Sequence, residues 1–340
     1  MRNGASNFVP PWPTGTVTGV GSLPLTGAAE AVDFVREVTP EMPFWPQLPR
    51  RAPHEGMFRQ FLGAGSETLE ARDQLLGYAV RAGEGGHLRT WLERGTAELN
   101  PLHAGGFFAF MEALAENGFP DAVAIKGQLT GPLIMSAMIF EDDRSAIHDD
   151  AFLELTANYL ARHAAWQVEQ LLESGRPVSV WIDDPGAGHL GGAPQTSVDQ
   201  ERYARALGIV VRAIHDAGGS AGLHCCARPR FNLLRRVPFD VLSFDAANGL
   251  EGFFSEPDAT ALLDRGCTLA LGLLHTSPDE DATPQAIAAR WSEVAGDRAS
   301  TAAERALVTT SCGLATTDPA RLVEVFAATR AVGQELRDGV

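Results

Sequence analysis

Short apolar stretches alternate with longer amphipathic stretches along most of this 340-residue chain. The apolar stretches are nearly continuous, which is typical of strands that are buried on both faces of a parallel sheet. The longer stretches repeat their apolar residues with the period of a helix, most clearly at 151–174, 198–217 and 319–338. Eight apolar stretches are predicted as strands, at 16–22, 42–48, 123–129, 178–184, 220–226, 241–246, 268–275 and 306–313.

Strands that alternate with helices predict an α/β protein, and eight such units favour a closed (β/α)8 TIM barrel over an open sheet. The second strand is the weakest, because the stretch MPFWPQL contains two prolines, which interrupt a strand ladder. Residues 49–122 have the pattern of at least two helices and no convincing strand, so we predict a helical insertion after the second strand. We expect residues 1–15 to form an N-terminal leader and residues 16–340 a single domain.

The chain is acidic, with 27 Lys and Arg against 43 Asp and Glu and a formal net charge of −16. No cluster of basic residues offsets that charge, so a nucleic-acid partner is not expected. No stretch of 18 consecutive apolar residues occurs, so a membrane span is not expected either. Four scattered cysteines are too few for a disulfide framework, which favours a reducing, cytoplasmic location.

Polar residues gather where the predicted strands end. In a barrel of parallel strands the carboxyl ends lie on one rim, and active sites form there. A single polar residue at such a position is usually a hydrogen-bonded turn residue, whereas a set from several strands would converge on one place. The residues of this set are Ser22, Gln128, Asp183, Asp184, His224, Cys226, Asp245, His275 and Cys312. Their convergence favours a functional site.

A histidine precedes two adjacent cysteines in the stretch LHCC. Neighbouring cysteines rarely bridge each other, so a soft-metal site is the more natural interpretation. The two-residue period of a strand puts His224 and Cys226 on one side and turns Cys225 toward the helices. Asp245 and Cys312 complete a set of one imidazole, two thiolates and one carboxylate, which is a normal tetrahedral set for zinc. We therefore predict Zn²⁺ as the cofactor.

Six short motifs make the chain resemble a known family. They are VTGVGSLPLT, IKGQLTGPL, WIDDPG, LHCC, GLLHTSP and TSCGL, and they occur in the order of the family's motifs between about Thr16 and Leu314. The chain resembles the catalytic C-terminal half of cobalamin-independent methionine synthase, in the barrel superfamily that includes uroporphyrinogen decarboxylase. This resemblance implies a zinc-dependent methyltransferase that methylates a thiol, with homocysteine as the first candidate substrate and methionine as the product.

The resemblance also implies a role for individual residues of the metal site. His224, Cys226 and Cys312 match the family's zinc ligands. Asp245 stands in VLSFD where the family has a ligating glutamate, and its carboxylate has a shorter reach.

Four further residues match family positions that hold the substrate or assist the transfer. Ser22, Asp183 and His275 fall at such positions, with Asp183 and His275 expected to act in the chemistry. Asp183 would form a salt bridge with the ammonium of the substrate, and His275 would handle a proton or orient the thiol. Glu55, in PHEGMFRQF, resembles a family glutamate that contacts the amino group.

Two departures from the family bear on the methyl donor. The N-terminal half of the full-length family enzymes has no counterpart here, and Met138 stands where an aromatic residue near the pterin is expected. Both departures favour methylcobalamin or a corrinoid protein over methyltetrahydrofolate as the donor. Two alternatives stay open, namely transfer to another thiol such as coenzyme M, and a non-catalytic zinc-binding barrel that docks a corrinoid protein.

Overall fold

The computed structural model describes residues 9–72, 77–189, 197–226, 228–274 and 283–339. Its strands, in chain order, are β1 Thr16–Val17, β2 Leu69–Ala71, β3 Tyr78–Val80, β4 Ile125–Thr130, β5 Ile139–Glu141, β6 Arg144–Ser145, β7 Val178–Asp183, β8 Ser220–Cys225, β9 Val241–Phe244, β10 Thr268–Leu274 and β11 Leu307–Thr310. Seven of them form a curled parallel sheet in the order β1-β11-β10-β9-β8-β7-β4. The other four form a small sheet in the order β2-β3-β5-β6.

Helices follow most strands of the parallel sheet. In chain order they are α1 Ala28–Val38, α2 Met57–Leu62, α3 Gly85–Arg94, α4 Gly105–Ala115, α5 Pro132–Met138, α6 Asp150–Leu172, α7 Gly186–His189, α8 Ser197–Asp216, α9 Phe231–Leu234, α10 Ala246–Ser255, α11 Pro257–Asp264, α12 Pro284–Ala295, α13 Ala299–Ala303 and α14 Leu322–Asp338. The three helices with the clearest sequence pattern correspond to α6, α8 and α14. None of the described helices has both the length and the apolar character that a membrane span requires.

Seven of the eight predicted strands are present among the described residues. Predicted strands that follow each other in the chain, from β7 through β8, β9 and β10 to β11, are also neighbours in the sheet and pair in parallel. This is the arrangement that strands joined by helical crossovers produce. The prediction of an α/β fold with a parallel sheet is therefore confirmed.

The two faces of the parallel sheet contact different residues. Outward side chains such as Ile182, Leu223 and Cys225 belong to the large core that the sheet shares with the helices. The opposite face, here called the inner face, has a separate small core. Its buried members are Trp12, Met42, Ala124, Trp181, Val241, Ala270 and Leu307. Cys225 thus faces the helix layer, as the strand period predicts.

The predicted second strand, residues 42–48, is not a strand. It makes only two isolated parallel bridges, between Phe44 and Lys126 on β4 and between Gln47 and Ser22 beyond β1. Pro43 and Pro46 lack the backbone N–H that a continuous ladder needs. The segment is nevertheless hydrogen-bonded to both edges of the sheet, because Trp45 N donates to the Lys126 carbonyl and Gln47 N to the Gly21 carbonyl.

The predicted helical insertion contains α2, α3 and α4, but it is not purely helical. It also carries the antiparallel strands β2 and β3, and β3 pairs with β5 from beyond β4. Strands of three residues carry too little alternation for a sequence pattern to reveal them. The prediction that residues 49–122 contain no strand is therefore wrong.

The predicted leader takes part in packing at its carboxyl end. Trp12 is 2% exposed and belongs to the small core of the inner face. Its indole Nε1 donates to the Arg305 carbonyl at 2.9 Å, and the Thr14 hydroxyl accepts from the Arg305 N–H at 2.9 Å. Residues just before β1 therefore close the inner face from the amino ends of the strands.

Candidate metal centre

Three soft ligands meet where β8 and β11 end. His224 lies on β8, Cys226 directly follows that strand, and Cys312 lies two residues beyond β11. Their ligand atoms all lie within 4.8 Å of one another, a spacing that could hold a metal ion. His224 is buried, whereas both cysteines are half-buried.

The curl of the sheet brings these ligands together. β9 and β10 separate β8 from β11 in the sheet. Parallel strands lie about 4.8 Å apart, so three steps across a flat sheet would hold β8 and β11 about 14 Å apart. The much shorter approach of the ligand atoms shows that their side chains converge on the inner face.

A hydrogen bond orients the imidazole of His224. Its Nδ1 lies 2.9 Å from Oγ of Ser243, the residue opposite it on β9. When Nδ1–H donates to this hydroxyl, Nε2 carries the lone pair that a metal needs. Nε2 is buried and has no hydrogen-bond partner in the part of the chain that the structure describes. An unpartnered nitrogen beside two thiols fits a soft metal ligand.

The two cysteines of the cluster interact directly. The Cys226 thiol donates a hydrogen bond to Cys312, which lowers the pKa of Cys312 to about 4. The same interaction raises the pKa of Cys226, because deprotonation of Cys226 would remove the donor. One thiol–thiolate pair beside an imidazole is the chemistry of a zinc or copper site rather than of a site for a hard cation.

Asp245 is not part of this cluster. It is the N-cap of α10, where Oδ1 accepts from the Asn248 N–H at 3.2 Å and Oδ2 accepts from the Asn248 side-chain amide at 2.9 Å. Three of the four predicted ligands are thus brought together, while Asp245 is engaged at a helix end. Among the described residues, the group that could hold a metal ion therefore consists of His224, Cys226 and Cys312.

A row of polar side chains extends from the cluster across the inner face. Thr130 on β4, Asp183 on β7, His224 and Ser243 lie side by side in the strand register. Oγ1 of Thr130 and Oδ1 of Asp183 are buried and have no hydrogen-bond partner among the described residues. Burial raises the pKa of Asp183 to about 6, against the opposing charges of His224 and Lys126. These groups could bind a polar molecule beside the cluster.

Asp184, the next residue, has a structural role. Its Oδ2 accepts from the Leu133 N–H at 2.8 Å, and its Oδ1 accepts from the N–H groups of Ile134 and Gly186 at 3.0 Å each. The carboxylate therefore joins the start of α5 to the end of β7. All of its partners are backbone groups, as expected for a turn residue.

Ser22 lies against the turn that carries Cys312. Its carbonyl accepts from the Leu314 N–H at 2.8 Å. A Cβ added to Gly313 would lie 2.1 Å from the Ser22 hydroxyl, so any larger residue there would displace the Ser22 side chain. Ser22 is half-buried and contacts the residues that directly follow Cys312, while its role in substrate binding stays a prediction.

Glu55 is fully buried in a 3-10 turn at Pro53–Glu55. Its Oε1 forms an ion pair with Arg51, and its Oε2 is buried with no partner among the described residues. No described contact joins Glu55 to the three ligands. Its predicted role in substrate binding stays a prediction. His275, the other predicted catalytic residue, lies outside the described residues.

Sequence reasoning did not single out two inner-face residues beside the cluster. Ser243 lies inside an apolar strand, where a lone serine carries no signal. Lys126 is fully buried, and its Nζ donates to the Val20 carbonyl at 2.8 Å and to Gln128 Oε1 at 3.2 Å. Burial lowers the pKa of Lys126 to about 8, against the opposing charge of Asp183. The one feature of the sequence that could have pointed to Lys126 is a charged residue within an otherwise apolar strand.

Comparison of the sequence with protein-family models gives no match, and comparison with curated proteins gives none.

Proposed function

We propose that this protein is a zinc-dependent methyltransferase that methylates a thiol, with homocysteine as the first candidate substrate. One observation carries the proposal. A ring nitrogen of His224 lies within 4.8 Å of the Cys226 and Cys312 sulfurs, and its Nε2 is buried with no hydrogen-bond partner among the described residues, at the strand ends where barrel enzymes have their active sites. The order of the six sequence motifs supports the same function.

The donor set fits zinc and the chemistry of a thiol. A free thiol with a pKa of about 8.5 is only about 3% ionised at pH 7, whereas methyl transfer needs the thiolate. Zinc held by His224, Cys226 and Cys312 would ionise the thiol of the substrate. The negative charge of the two cysteine thiolates favours a sulfur that stays nucleophilic. A new sulfur–carbon bond forms as the bond from carbon to the donor breaks, and the donor keeps that electron pair.

The residues near the cluster would select the substrate. Asp183 Oδ1, which has no hydrogen-bond partner in the described part of the chain, would accept from the ammonium of an amino acid, and Ser22 and Glu55 would contact the same part of the substrate. His275 would assist by orienting the thiol or moving its proton. Methylcobalamin or a corrinoid protein is the favoured donor over methyltetrahydrofolate.

We also propose a closed barrel in a reducing compartment. Residues 42–48 hydrogen-bond to both edges of the seven-stranded sheet, which supports their role as an irregular segment in the place of an eighth strand. A centre built from two thiols needs reducing conditions, which supports a cytoplasmic location.

The first experiment measures the metal content of the purified protein and of three variants by elemental mass spectrometry. About one zinc per chain is expected in the wild type, and Cys226→Ser and Cys312→Ser should lose it. Cys267→Ser is the matched control, because Cys267 is buried but does not belong to the cluster. A wild type that binds no zinc even after reconstitution would contradict the proposal.

The second experiment supplies the zinc-loaded protein with methylcobalamin or methyltetrahydrofolate and one of two thiols. Methionine formation from homocysteine supports the proposed substrate, and Asp183→Asn should then raise KM for homocysteine. Methylation of coenzyme M instead would identify the alternative enzyme. No transfer to either thiol by the zinc-loaded protein would favour the non-catalytic barrel.

A further inference from the structure

Lys126 on β4 is the only lysine in the chain, since all the other 26 of its 27 basic residues are arginine. It is also fully buried, at 0% exposure. The chain therefore uses arginine at every other basic position and lysine at the one that is enclosed on the inner face. This contrast indicates that the enclosed position requires a property of the lysine side chain that arginine lacks.

The surroundings of Lys126 explain that requirement. Its Nζ donates to the Val20 carbonyl at 2.8 Å and to Gln128 Oε1 at 3.2 Å, and it lies 4.6 Å from the centre of the Trp181 ring. An ammonium is compact enough for this enclosed position, whereas a planar guanidinium is larger and needs a different set of acceptors. The ammonium therefore fits as a short link between β4 and the chain that follows β1.

The chain after β1 forms a loop at Val20–Ser22, and the Lys126 ammonium joins this loop to β4 by its hydrogen bond to the Val20 carbonyl. Gly21 has a φ of +148°, and a Cβ there would lie 2.8 Å from the Gln128 side chain. The backbone of the loop therefore packs against the Gln128 side chain at Gly21, and its Val20 carbonyl accepts the hydrogen bond from Lys126. The other end of the loop, Ser22, accepts the Leu314 N–H at 2.8 Å.

The turn beyond β11 completes the connection. The Ser22 hydroxyl lies directly against Gly313, where a Cβ would displace it, and Gly313 directly follows the ligand Cys312. The Cys312 carbonyl accepts a hydrogen bond from the Thr310 hydroxyl at 2.7 Å, which fixes the turn on its other side. Displacement of the Val20–Ser22 loop would therefore displace Cys312.

We propose that Lys126 is a positioning residue for the candidate metal centre, holding the Val20–Ser22 loop that in turn holds Cys312. The proposal rests on the function proposed above for its biological meaning. Its effect on Cys312 can be measured without metal. Lys126 does not touch the reacting atoms in this role.

The test compares Lys126→Met with Gln167→Met. Methionine keeps the unbranched shape of lysine and removes the donor to Val20. Gln167 on α6 is the matched control, because it is equally buried and also makes two hydrogen bonds: its Nε2 donates to the Gln128 carbonyl and its Oε1 accepts from the Trp45 indole. In metal-free protein, alkylation of Cys312 by N-ethylmaleimide should be about tenfold faster in Lys126→Met and unchanged in Gln167→Met.

Metal binding gives a second readout on the same variants. The affinity for Zn²⁺, measured by competition with a chromophoric chelator, should fall about tenfold in Lys126→Met and stay unchanged in Gln167→Met. Because the chain has one lysine, lysine labelled with ¹³C at Cε alone gives one side-chain signal in the NMR spectrum. This signal should shift when Zn²⁺ is added to the wild type and should not shift in Cys312→Ser.

The outcomes separate this inference from the proposed function. Faster alkylation in Lys126→Met with no zinc in the wild type supports the positioning role and contradicts the function. Zinc binding by the wild type with equal alkylation in both variants supports the function and overturns the positioning role. If Lys126→Met does not fold, Lys126→Gln, which keeps a donor of shorter reach, replaces it, and alkylation at the wild-type rate then overturns the role.

Discussion

Buried polar atoms without partners mark the candidate site at the scale of single residues. Nε2 of His224, Oδ1 of Asp183 and Oγ1 of Thr130 are all of this kind among the described residues. Each such atom costs about 1–3 kcal/mol, and native cores contain few of them. Three of them in one register row are more informative than any one polar strand end, because they share a place where a ligand would supply the missing partners.

Ser243 controls which nitrogen of His224 is available, so Ser243→Ala should weaken metal binding. Without the 2.9 Å contact to Nδ1, the imidazole loses the group that fixes its proton and its orientation. We expect the affinity for Zn²⁺ to fall about 10- to 100-fold, with a change in unfolding free energy of about 1 kcal/mol. A chelator competition titration and urea unfolding measure the two quantities.

Ser179→Ala is the matched control for this substitution. Ser179 is a buried serine on β7, on the other side of β8 from Ser243, and its hydroxyl accepts from the Trp181 indole at 3.0 Å rather than contacting a ligand. Its affinity for Zn²⁺ should equal that of the wild type. Equal zinc affinities for both variants would show that the Ser243 hydroxyl does not fix the tautomer and orientation of the His224 imidazole.

At the scale of elements, two adjacent aspartates at the end of β7 should behave in opposite ways. Asp184→Asn should destabilise the fold by about 2–3 kcal/mol, because an amide cannot accept all three backbone N–H groups that hold the start of α5. Asp183→Asn should leave stability within about 1 kcal/mol, since Oδ1 of Asp183 has no described partner to lose.

Urea unfolding measures the stability of the two variants. Titration with the thiol substrate measures their affinity, which should show the opposite order of effects. Asp184→Asn should bind substrate normally while it stays folded, whereas Asp183→Asn should bind it weakly. A larger loss of stability in Asp183→Asn than in Asp184→Asn would reverse the two assignments. The asymmetry follows from partners that only the folded structure reveals.

The elements differ in how far the sequence predicts them. β10 is a nearly continuous apolar run and β7 and β8 are largely apolar, so their pattern identifies them. The 42–48 segment has the same composition, but its prolines reduce it to two bridges. β2 and β3 are too short to carry a pattern and are held by each other and by β5. Local pattern therefore predicts long buried strands and fails where pairing depends on distant partners.

The candidate site shows the same division. The strand period predicts that His224 and Cys226 share a side and that Cys225 faces the helices. That Asp245 would cap α10, and that Ser243 would contact the imidazole, depends on the register of β9 and on the start of the following helix. Neither is encoded in the spacing of residue types, so the sequence predicts the ligand types better than their neighbours.

At the scale of the whole molecule, the curled sheet joins residues that are far apart in the chain. The ligands come from β8 and from the turn after β11, and Thr130 and Asp183 come from β4 and β7. The site therefore needs the strands to keep their positions around the inner face. The small core at the amino ends of the strands is the part of the fold best placed to hold them.

Trp12 is the residue through which the chain before β1 reaches that core. It is 2% exposed, packs with the Trp181 cluster and donates to the Arg305 carbonyl at 2.9 Å. Trp12→Ala should reduce the free energy of unfolding by about 3–5 kcal/mol, the usual effect of emptying a buried tryptophan site. Urea unfolding of the full chain measures this loss.

Trp166→Ala is the control for Trp12→Ala, because Trp166 on α6 is only partly buried and packs against Phe107 with its ring tilted by 39°. Its loss of stability should be smaller. At urea concentrations where both variants remain folded, their affinity for Zn²⁺ should match the wild type, since the three ligands lie at the opposite ends of the strands. If Trp12→Ala costs no more than Trp166→Ala, the segment before β1 is a detachable leader and the sheet holds its curl without it. If the cost is larger and zinc affinity is kept, stability and metal binding are set at opposite ends of the same strands.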